Sequence, residues 1–284
     1  MNEPVMKKTK GDGINIQVAV WEGNGKEILC VHGLTANCRF WDCLASVLSP
    51  RHKVIAMDLR GRGLSDKPPT GYSMDSHCKD LLSLMDDLGL QRPVLMGHSL
   101  GAFISLVFAA RAPQRVDRLI LVDGGGKLTE TQMLKVFAGI KPSLDRLGKI
   151  FHSFEDYISQ MKRAPFLQPW NHFMDNYFQY EVEVVEGGFR SRVHPKHIEE
   201  EALNLGKVDS AQFYQKVISP TLILRATKGM LAQDDLVLPE DVADRMVREI
   251  PSAKRVDLEG VNHYTILLQP NENRDQAILD FLKA

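Results

Sequence analysis

One serine in this sequence stands where a nucleophile is expected. Ser99 is the centre of residues 97–101, which read Gly-His-Ser-Leu-Gly, and this run follows an apolar stretch and precedes a helical pattern. A serine between two such glycines at a sharp strand-to-helix turn forms a nucleophile elbow, in which the backbone is strained and the hydroxyl is exposed. A plain glycine-rich turn is the alternative, but the strand before and the helix after favour the elbow. We therefore expect Ser99 to be a catalytic nucleophile.

A serine hydroxyl needs a base, and histidine is the side chain that titrates near neutral pH. The chain has nine histidines. His263 follows the last predicted strand, and chains with this elbow carry nucleophile, acid and base in that order. His194 and His197 have a spacing that suits a metal, but no third ligand accompanies them, and we interpret them as solvent-exposed. We predict His263 as the base, with no metal and no cofactor.

The acid that orients the base has more than one candidate. This carboxylate fixes the tautomer of the histidine and stabilises its charged form. In the usual arrangement it lies after the strand at residues 221–226, near Gly229, which has no carboxylate. Asp234 and Asp235 follow in an apparently lengthened loop, whereas Asp123 comes directly after the strand that follows the elbow unit. We favour Asp123, with Asp234 and Asp235 as the alternatives; an Asp-Gly turn that bonds its own backbone is the other interpretation of Asp123.

Attack on a carbonyl also requires backbone amides that stabilise the developing oxyanion. We assign one to Leu100, directly after the nucleophile. The other is the amide of Leu34, in the loop that follows His32 and Gly33.

The elements that position these residues alternate between strands and helices. Continuous apolar runs of this kind are typical of strands buried on both faces of a parallel sheet. They occupy residues 27–31, 53–57, 94–96, 118–122, 221–226 and 253–258. The fold class is therefore α/β, a mostly parallel sheet flanked by helices. Functional groups gather at the carboxyl ends of such strands, so the candidate residues should converge at one edge of the sheet.

The alternation stops between residues 127 and 207, where the pattern is helical, amphipathic and rich in aromatics. We predict that residues 1–126 and 208–284 form the core and that residues 127–207 form an inserted helical cap, or lid. The aromatics favour an apolar pocket, although aromatics at helical spacing more often belong to a core. Arg190 and Arg192 can meet a substrate carboxylate, but exposed arginines are the simpler interpretation.

The amino-acid composition limits the classes of molecule that the protein is expected to bind. The 284 residues include 35 basic and 36 acidic side chains, so there is no charge imbalance of the kind that nucleic acids or acidic membranes attract. No apolar run reaches the length needed to span a bilayer, and the first lysines are not followed by the apolar segment of a secretory signal. The four cysteines lack zinc-site spacing and suit a reducing compartment. We expect a cytoplasmic protein with a small-molecule substrate, no nucleic-acid or membrane partner, and an oligomeric state that the sequence does not specify.

Four motifs in order resemble those of the α/β-hydrolase superfamily. They are His32-Gly33, the loop at 58–66 (Asp-Leu-Arg-Gly-Arg-Gly-Leu-Ser-Asp), the run at 97–101 and Asn262-His263. The resemblance covers nearly the whole chain outside the predicted cap and implies the α/β-hydrolase fold, with Ser99 as nucleophile, His263 as base, and Leu34 and Leu100 as oxyanion donors. It implies only a structural role for the 58–66 loop.

Gly229 departs from the usual pattern of the superfamily. Members of the (E)-2-(acetamidomethylene)succinate hydrolase type carry the acid one strand earlier, with His-Tyr after the last strand. Asp123 and His263-Tyr264 are similar to that layout, which favours Asp123 as the acid.

These residues together predict a serine hydrolase that cleaves a carboxylic ester of a small, partly apolar substrate through an acyl-enzyme. An amide, lactone or thioester is also compatible. Two alternatives remain: a hydrolase-like ligand receptor or signalling protein, and a cofactor-free haloperoxidase or lyase that uses the same triad. Ser99 argues against epoxide hydrolases and haloalkane dehalogenases, because those enzymes carry an aspartate at the elbow.

Overall fold

The structure is a computed structural model that describes residues 3–283, and a mixed sheet runs through its centre. The strands of the described residues are β1 (Val5–Lys10), β2 (Asn15–Trp21), β3 (Glu27–Val31), β4 (Lys53–Met57), β5 (Val94–His98), β6 (Arg118–Val122), β7 (Val182–Val185), β8 (Gly188–Ser191), β9 (Thr221–Ala226) and β10 (Ala253–Leu258). Eight of them form one sheet in the order β1-β2-β4-β3-β5-β6-β9-β10. β2 pairs antiparallel with β1 and β4, and the other neighbours are parallel.

Helices cover both faces of this sheet. The α-helices are α1 (Asp42–Leu48), α2 (Met74–Asp87), α3 (Leu100–Arg111), α4 (Glu130–Asp145), α5 (Phe154–Lys162), α6 (His172–Glu181), α7 (Pro195–Leu205), α8 (Glu240–Glu249), α9 (Thr265–Leu268) and α10 (Glu272–Lys283). Successive side chains of a strand point to opposite faces of the sheet. In β3, Ile28 therefore packs in the apolar cluster that includes α1 and α10. Leu29 packs on the other face, in the cluster that includes α2, α3 and α8. The predicted sheet flanked by helices is confirmed. No helix within residues 3–283 is long and apolar enough to cross a membrane.

Strand β1 does not follow from the sequence pattern. Its residues, Val-Met-Lys-Lys-Thr-Lys, are mostly polar and exposed, and only Thr9 is buried. The strand forms because its backbone pairs with β2 from Val5 to Lys10. An edge strand of this kind carries lysines that discourage pairing with other chains, so its composition differs from that of the buried strands.

Residues 127–207 lie between two strands that are neighbours in the sheet. β6 and β9 are paired, with Leu119 opposite Thr221, and helices α4 to α7 lie between them in the chain. The expectation of a wholly helical segment is wrong at β7 and β8, which form an antiparallel hairpin. The physical reason is local: three valines favour a strand, and Gly187 and Gly188 adopt φ values of +86° and +141° at the turn.

Candidate active site

The elbow at Ser99 has the strained geometry that the motif predicts. Ser99 adopts φ 56° and ψ −120° directly before α3. A Cβ atom on Gly97 would lie 2.1 Å from the carbonyl oxygen of Gly101, and one on Gly101 would lie 2.0 Å from that of Val31. Both flanking residues must therefore be glycine for the turn to pack between β3 and α3. Ser99 lines a cavity of the protein.

Asp123 and His263 are joined by a hydrogen bond. His263 Nδ1 lies 2.7 Å from Asp123 Oδ2, and both residues are at least 95% buried. The other oxygen of Asp123 accepts a hydrogen bond of 3.1 Å from the amide of Ala226, which fixes the carboxylate plane. Because Nδ1 donates to the carboxylate, Nε2 of His263 is the nitrogen left to accept a proton.

Asp234 and Asp235 lie in other surroundings. Asp235 accepts hydrogen bonds from the amides of Met230, Leu231 and Ala232 and so closes its own loop. Asp234 is exposed and pairs with Lys135 at 2.6 Å. Neither carboxylate contacts His263, so the structure brings together only Asp123 with the histidine.

The same loop explains why no acid occupies position 229. A Cβ atom on Gly229 would lie 1.8 Å from the carbonyl oxygen of Ala232 and 2.3 Å from Asp235 Oδ1. Residues 229–235 turn back on themselves around the Asp235 carboxylate, which leaves no space for a side chain at the start of the turn.

Two further histidines near the elbow are held neutral. His32 Nδ1 donates to the Gly33 carbonyl at 2.7 Å, and its Nε2 accepts from the Leu59 amide at 3.0 Å. Burial lowers the pKa of His32 to about 3. Burial and then the adjacent His263 hold the pKa of His98 well below 6.5, and His98 Nε2 donates to the His263 carbonyl at 2.9 Å. Among these three, only His263 has a carboxylate partner.

The amides assigned to the oxyanion have no hydrogen-bond acceptor among the described residues. Within residues 3–283, neither the Leu34 nor the Leu100 amide donates a hydrogen bond. A Cβ atom on Gly33 would lie 3.0 Å from Ser99 Cβ, so the loop that carries Leu34 packs against the nucleophile. Arg62 Nε donates to the Leu34 carbonyl at 3.0 Å and so holds the peptide group that follows Leu34 in the same loop.

The cavity above Ser99 has a volume of about 310 Å³, and His263 also lines it. No hydrogen bond joins the two side chains among the described residues, and catalytic pairs are often loose before substrate binds. The rest of the wall is mainly apolar and includes residues of α4, α5 and α6. The apolar and aromatic residues of the whole wall include Phe40, Ile140, Met161, Phe166, Tyr177 and Phe178. An apolar cavity with a few convergent polar groups is typical of a small-molecule site.

A buried ion pair in this wall was not predicted from the sequence. Arg146 lines the cavity, and its Nη2 lies 2.7 Å from Glu181 Oε1. Glu181 also accepts hydrogen bonds from Tyr157 Oη at 2.7 Å and Ser191 Oγ at 2.9 Å. The two charges lie 35 residues apart, directly after α4 and on α6, and no local spacing relates them. The positive charge of Arg146 is therefore balanced by protein rather than left free for a ligand.

The residues considered for a metal or a substrate carboxylate lie outside this cavity. Arg190, Arg192, His194 and His197 line a different one, beside the hairpin β7–β8. Arg190 pairs with Glu183 at 2.7 Å. No group of three or more His, Cys, Asp or Glu side chains is arranged for a metal ion anywhere in residues 3–283.

Comparisons with known proteins show the family to which the fold belongs. A family profile described as alpha/beta hydrolase fold matches residues 27–270. The chain is 29% identical over 263 residues to the 2-(acetamidomethylene)succinate hydrolase of Mesorhizobium japonicum, which covers 93% of this chain and 90% of that one. A crystal structure of E-2-(acetamidomethylene)succinate hydrolase superimposes with a TM-score of 0.86 at 27% identity over 99% of this chain and 100% of the other. An uncharacterized protein of Mycobacterium tuberculosis is 42% identical over 104 residues, but this match spans only 30% of that protein.

Proposed function

The chain belongs to the α/β-hydrolase fold family, and we propose that it is a serine hydrolase that cleaves a carboxylic ester of a small, partly apolar substrate. Its relatives include named hydrolases, which supports hydrolysis as the reaction class. The observation that carries the proposal is the buried hydrogen bond between Asp123 and His263, which leaves His263 Nε2 directed away from its acid in a cavity shared with Ser99.

The proposed reaction has two halves. The Ser99 hydroxyl attacks the ester carbonyl while His263 Nε2 takes its proton, and the Leu34 and Leu100 amides stabilise the oxyanion. The intermediate collapses, His263 gives the proton to the departing alcohol, and an acyl-enzyme remains. Water then attacks the acyl carbon with His263 again as base, which releases the acid and restores Ser99. Asp123 holds His263 in the required tautomer and stabilises its charged form in both halves.

We assign residues 127–207 to a cap over this site. The assignment rests on the direct pairing of β6 with β9 and on the contribution of Ile140, Met161 and Phe178 to the cavity wall. In this arrangement the core supplies the reacting groups, and the cap supplies most of the apolar surface that the acyl group contacts.

Cleavage of an amide is the second candidate, because of the similarity to 2-(acetamidomethylene)succinate hydrolase over 90% of that protein's length. The same triad and oxyanion amides serve both reactions, and the two differ in the leaving group. The balanced charge of Arg146 favours an uncharged acyl group over a doubly charged one.

The test is turnover of a series of p-nitrophenyl esters of increasing acyl length, with Ser99→Ala as the variant. We expect multiple turnovers by the wild type, loss of at least about a thousandfold in kcat for Ser99→Ala, and labelling of Ser99 by a fluorophosphonate. Glu199→Gln, an exposed change on α7, serves as the control. Single-turnover capture without release would favour a ligand receptor, and undiminished turnover by Ser99→Ala would exclude the serine mechanism.

A further inference from the structure

A second cavity lies beside the hairpin β7–β8, between the first residues of α7 and the loop that ends at Lys67. Its volume is about 230 Å³, several times the roughly 30 Å³ that one water molecule occupies in the liquid. Three cationic side chains, Lys67, Arg190 and Arg192, line this cavity together with a single carboxylate, that of Glu183. The cavity therefore carries two more positive than negative side chains.

Most of this positive charge is not matched by the protein. Arg190 pairs with Glu183 at 2.7 Å, which uses the one carboxylate. Arg192 donates from Nε to the Tyr180 carbonyl at 3.1 Å, and its Nη1 lies 4.0 Å from the other Glu183 oxygen, at ion-pair distance but too far for a hydrogen bond. The two arginines therefore share one carboxylate, and the terminal N–H groups of Arg192 make no hydrogen bond in the part of the chain that the structure describes.

Lys67 is in a similar position. Its ammonium group donates to two neutral carbonyl oxygens, Gly63 at 2.8 Å and Ser65 at 3.3 Å. No carboxylate within residues 3–283 lies within ion-pair distance of it. One N–H of the ammonium group is therefore available to a ligand in the cavity.

The N-terminal end of α7 adds the partial positive charge of the helix dipole, although Pro195 has no N–H and the His197 amide donates to the His194 carbonyl at 3.1 Å. Pro195 begins this 11-residue helix, and its first turn contains no acidic residue. The Lys196 amide donates to His194 Nδ1 at 3.2 Å, which leaves the proton of that imidazole on Nε2. Nδ1 of His197, in the wall of the same cavity, is buried without a hydrogen-bond partner. The positive end of this helix dipole therefore adds to the attraction that Lys67, Arg190 and Arg192 exert on an anion in the cavity.

We propose that this cavity binds a phosphate group, either as inorganic phosphate or as the monoester of a small metabolite. Arg192 and Lys67 are the principal ligands, and Arg190 contributes through the N–H groups that Glu183 does not use. The site is separate from the active site, because no residue lines both cavities. It does not depend on the proposed esterase activity.

The test is isothermal titration calorimetry of the full chain with inorganic phosphate, glycerol phosphate and malonate. We expect saturable binding of the two phosphates and weaker binding of malonate, whose carboxylates are planar. Arg192→Gln and Lys67→Gln should each weaken phosphate binding about tenfold or more, the loss expected for one charge-assisted hydrogen bond. Arg248→Gln, which removes an exposed charge from α8 and does not line the cavity, should bind as the wild type does.

Three results would overturn the proposal. They are the absence of binding heat in the wild type at millimolar phosphate, equal weakening by Arg248→Gln, and tighter binding of malonate than of phosphate. Circular dichroism of each variant checks that the fold is retained. If Arg192→Gln fails to fold, Lys67→Gln decides the question, since the Lys67 side chain is exposed and bonds only carbonyl groups of its own loop.

Discussion

The Oδ2 atom of Asp123 lies 2.7 Å from His263 Nδ1, although β9 separates their strands, β6 and β10, in the sheet. The loop after β10 therefore crosses the end of β9 to meet an acid on the far side. Position 229, which follows β9, lies between them in strand order and carries only a glycine.

Asp123→Asn should leave the fold intact and lower kcat for an activated ester by about 10³–10⁴-fold, because the amide favours the wrong tautomer of His263. Asp234→Asn should leave kcat unchanged, since Asp234 is exposed and contacts Lys135. Steady-state kinetics of the two purified variants provides the measurement. Equal losses in both would contradict the assignment of the acid.

Gly229→Ala should destabilise the protein, because the added Cβ atom would lie 1.8 Å from the Ala232 carbonyl oxygen. We expect a loss of about 1–3 kcal/mol in the free energy of unfolding, typical of an overpacked site. Gly206→Ala is the matched control, since its Cβ atom meets nothing closer than 3.6 Å. Urea denaturation measures both, and equal stability of the two variants would refute the steric explanation.

For the same reason, an acid cannot be restored at position 229. Gly229→Asp in the Asp123→Asn background should recover no activity, because the side chain would meet Asp235 Oδ1 as well as the Ala232 carbonyl oxygen. Recovery of kcat in that double variant would show that the loop can open.

Glu201 on α7 should make stability depend on acid pH. The carboxylate bonds His77 at 2.8 Å and Arg62 at 3.0 Å, and all three side chains are buried. Burial opposes ionisation, but the charges of His77 and Arg62 outweigh it and lower the pKa of Glu201 to about 2 from 4.5. Since the folded pKa is the lower one, this stabilisation is complete above pH 4.5 and is lost as the pH falls towards 2.

The expected contribution of Glu201 at neutral pH is about 3 kcal/mol. Glu201→Gln should therefore unfold at lower urea concentration than the wild type at pH 7, and the difference should shrink at pH 3. Glu199→Gln, an exposed change on the same helix, should match the wild type at both values. A difference between Glu201→Gln and the wild type that is independent of pH would contradict the role of ionisation.

The Arg146–Glu181 pair should determine how the active site treats charged acyl groups. We expect the wild type to hydrolyse a neutral alkyl ester with a kcat/KM at least about tenfold above that for a succinate half-ester, since the carboxylate of the succinyl group would meet a mainly apolar wall in which the buried Arg146 is already paired with Glu181. Glu181→Gln should lower the ratio of the two kcat/KM values, because it leaves Arg146 free to pair with the carboxylate of the substrate.

Arg163→Gln tests whether the preference between the two esters comes instead from the attraction of a carboxylate to an exposed charge. Arg163 is exposed and lines the same cavity. If the ratio of the two kcat/KM values changes only in Arg163→Gln, the selectivity arises from Arg163 and not from the Arg146–Glu181 pair. Competition between the two esters in one reaction measures the ratio directly.

The buried strands and the elbow were predictable because their signals are local. An uninterrupted apolar run such as that of β6 is required wherever a strand is covered on both faces, and the glycines beside Ser99 are required by steric contact. The order of the motifs along the chain then favoured His263 as the base. Each of these inferences depends on a few consecutive residues.

The remaining features depend on contacts between distant residues. The sequence favours Asp123 but leaves Asp234 and Asp235 open as acids, and the contact of Asp123 with His263 and the closure of the loop around the Asp235 carboxylate separate them. The charges of Arg146 and Glu181 meet only when α4 and α6 pack together. Sequence periodicity carries no information on such pairs.

If residues 127–207 form the proposed cap, the direct pairing of β6 with β9 would make selectivity and chemistry separable in this molecule. Residues 127–207 connect the end of β6 to the start of β9, and the pairing of these two strands holds both positions in place. A segment of different length or sequence can therefore be exchanged there without displacing the residues after β5, β6 and β10. Such an exchange would have to keep a carboxylate for Arg62 and His77, which Glu201 provides across that boundary. For enzyme engineering, this junction is the natural place to recombine pockets from other proteins with the same hydrolytic centre.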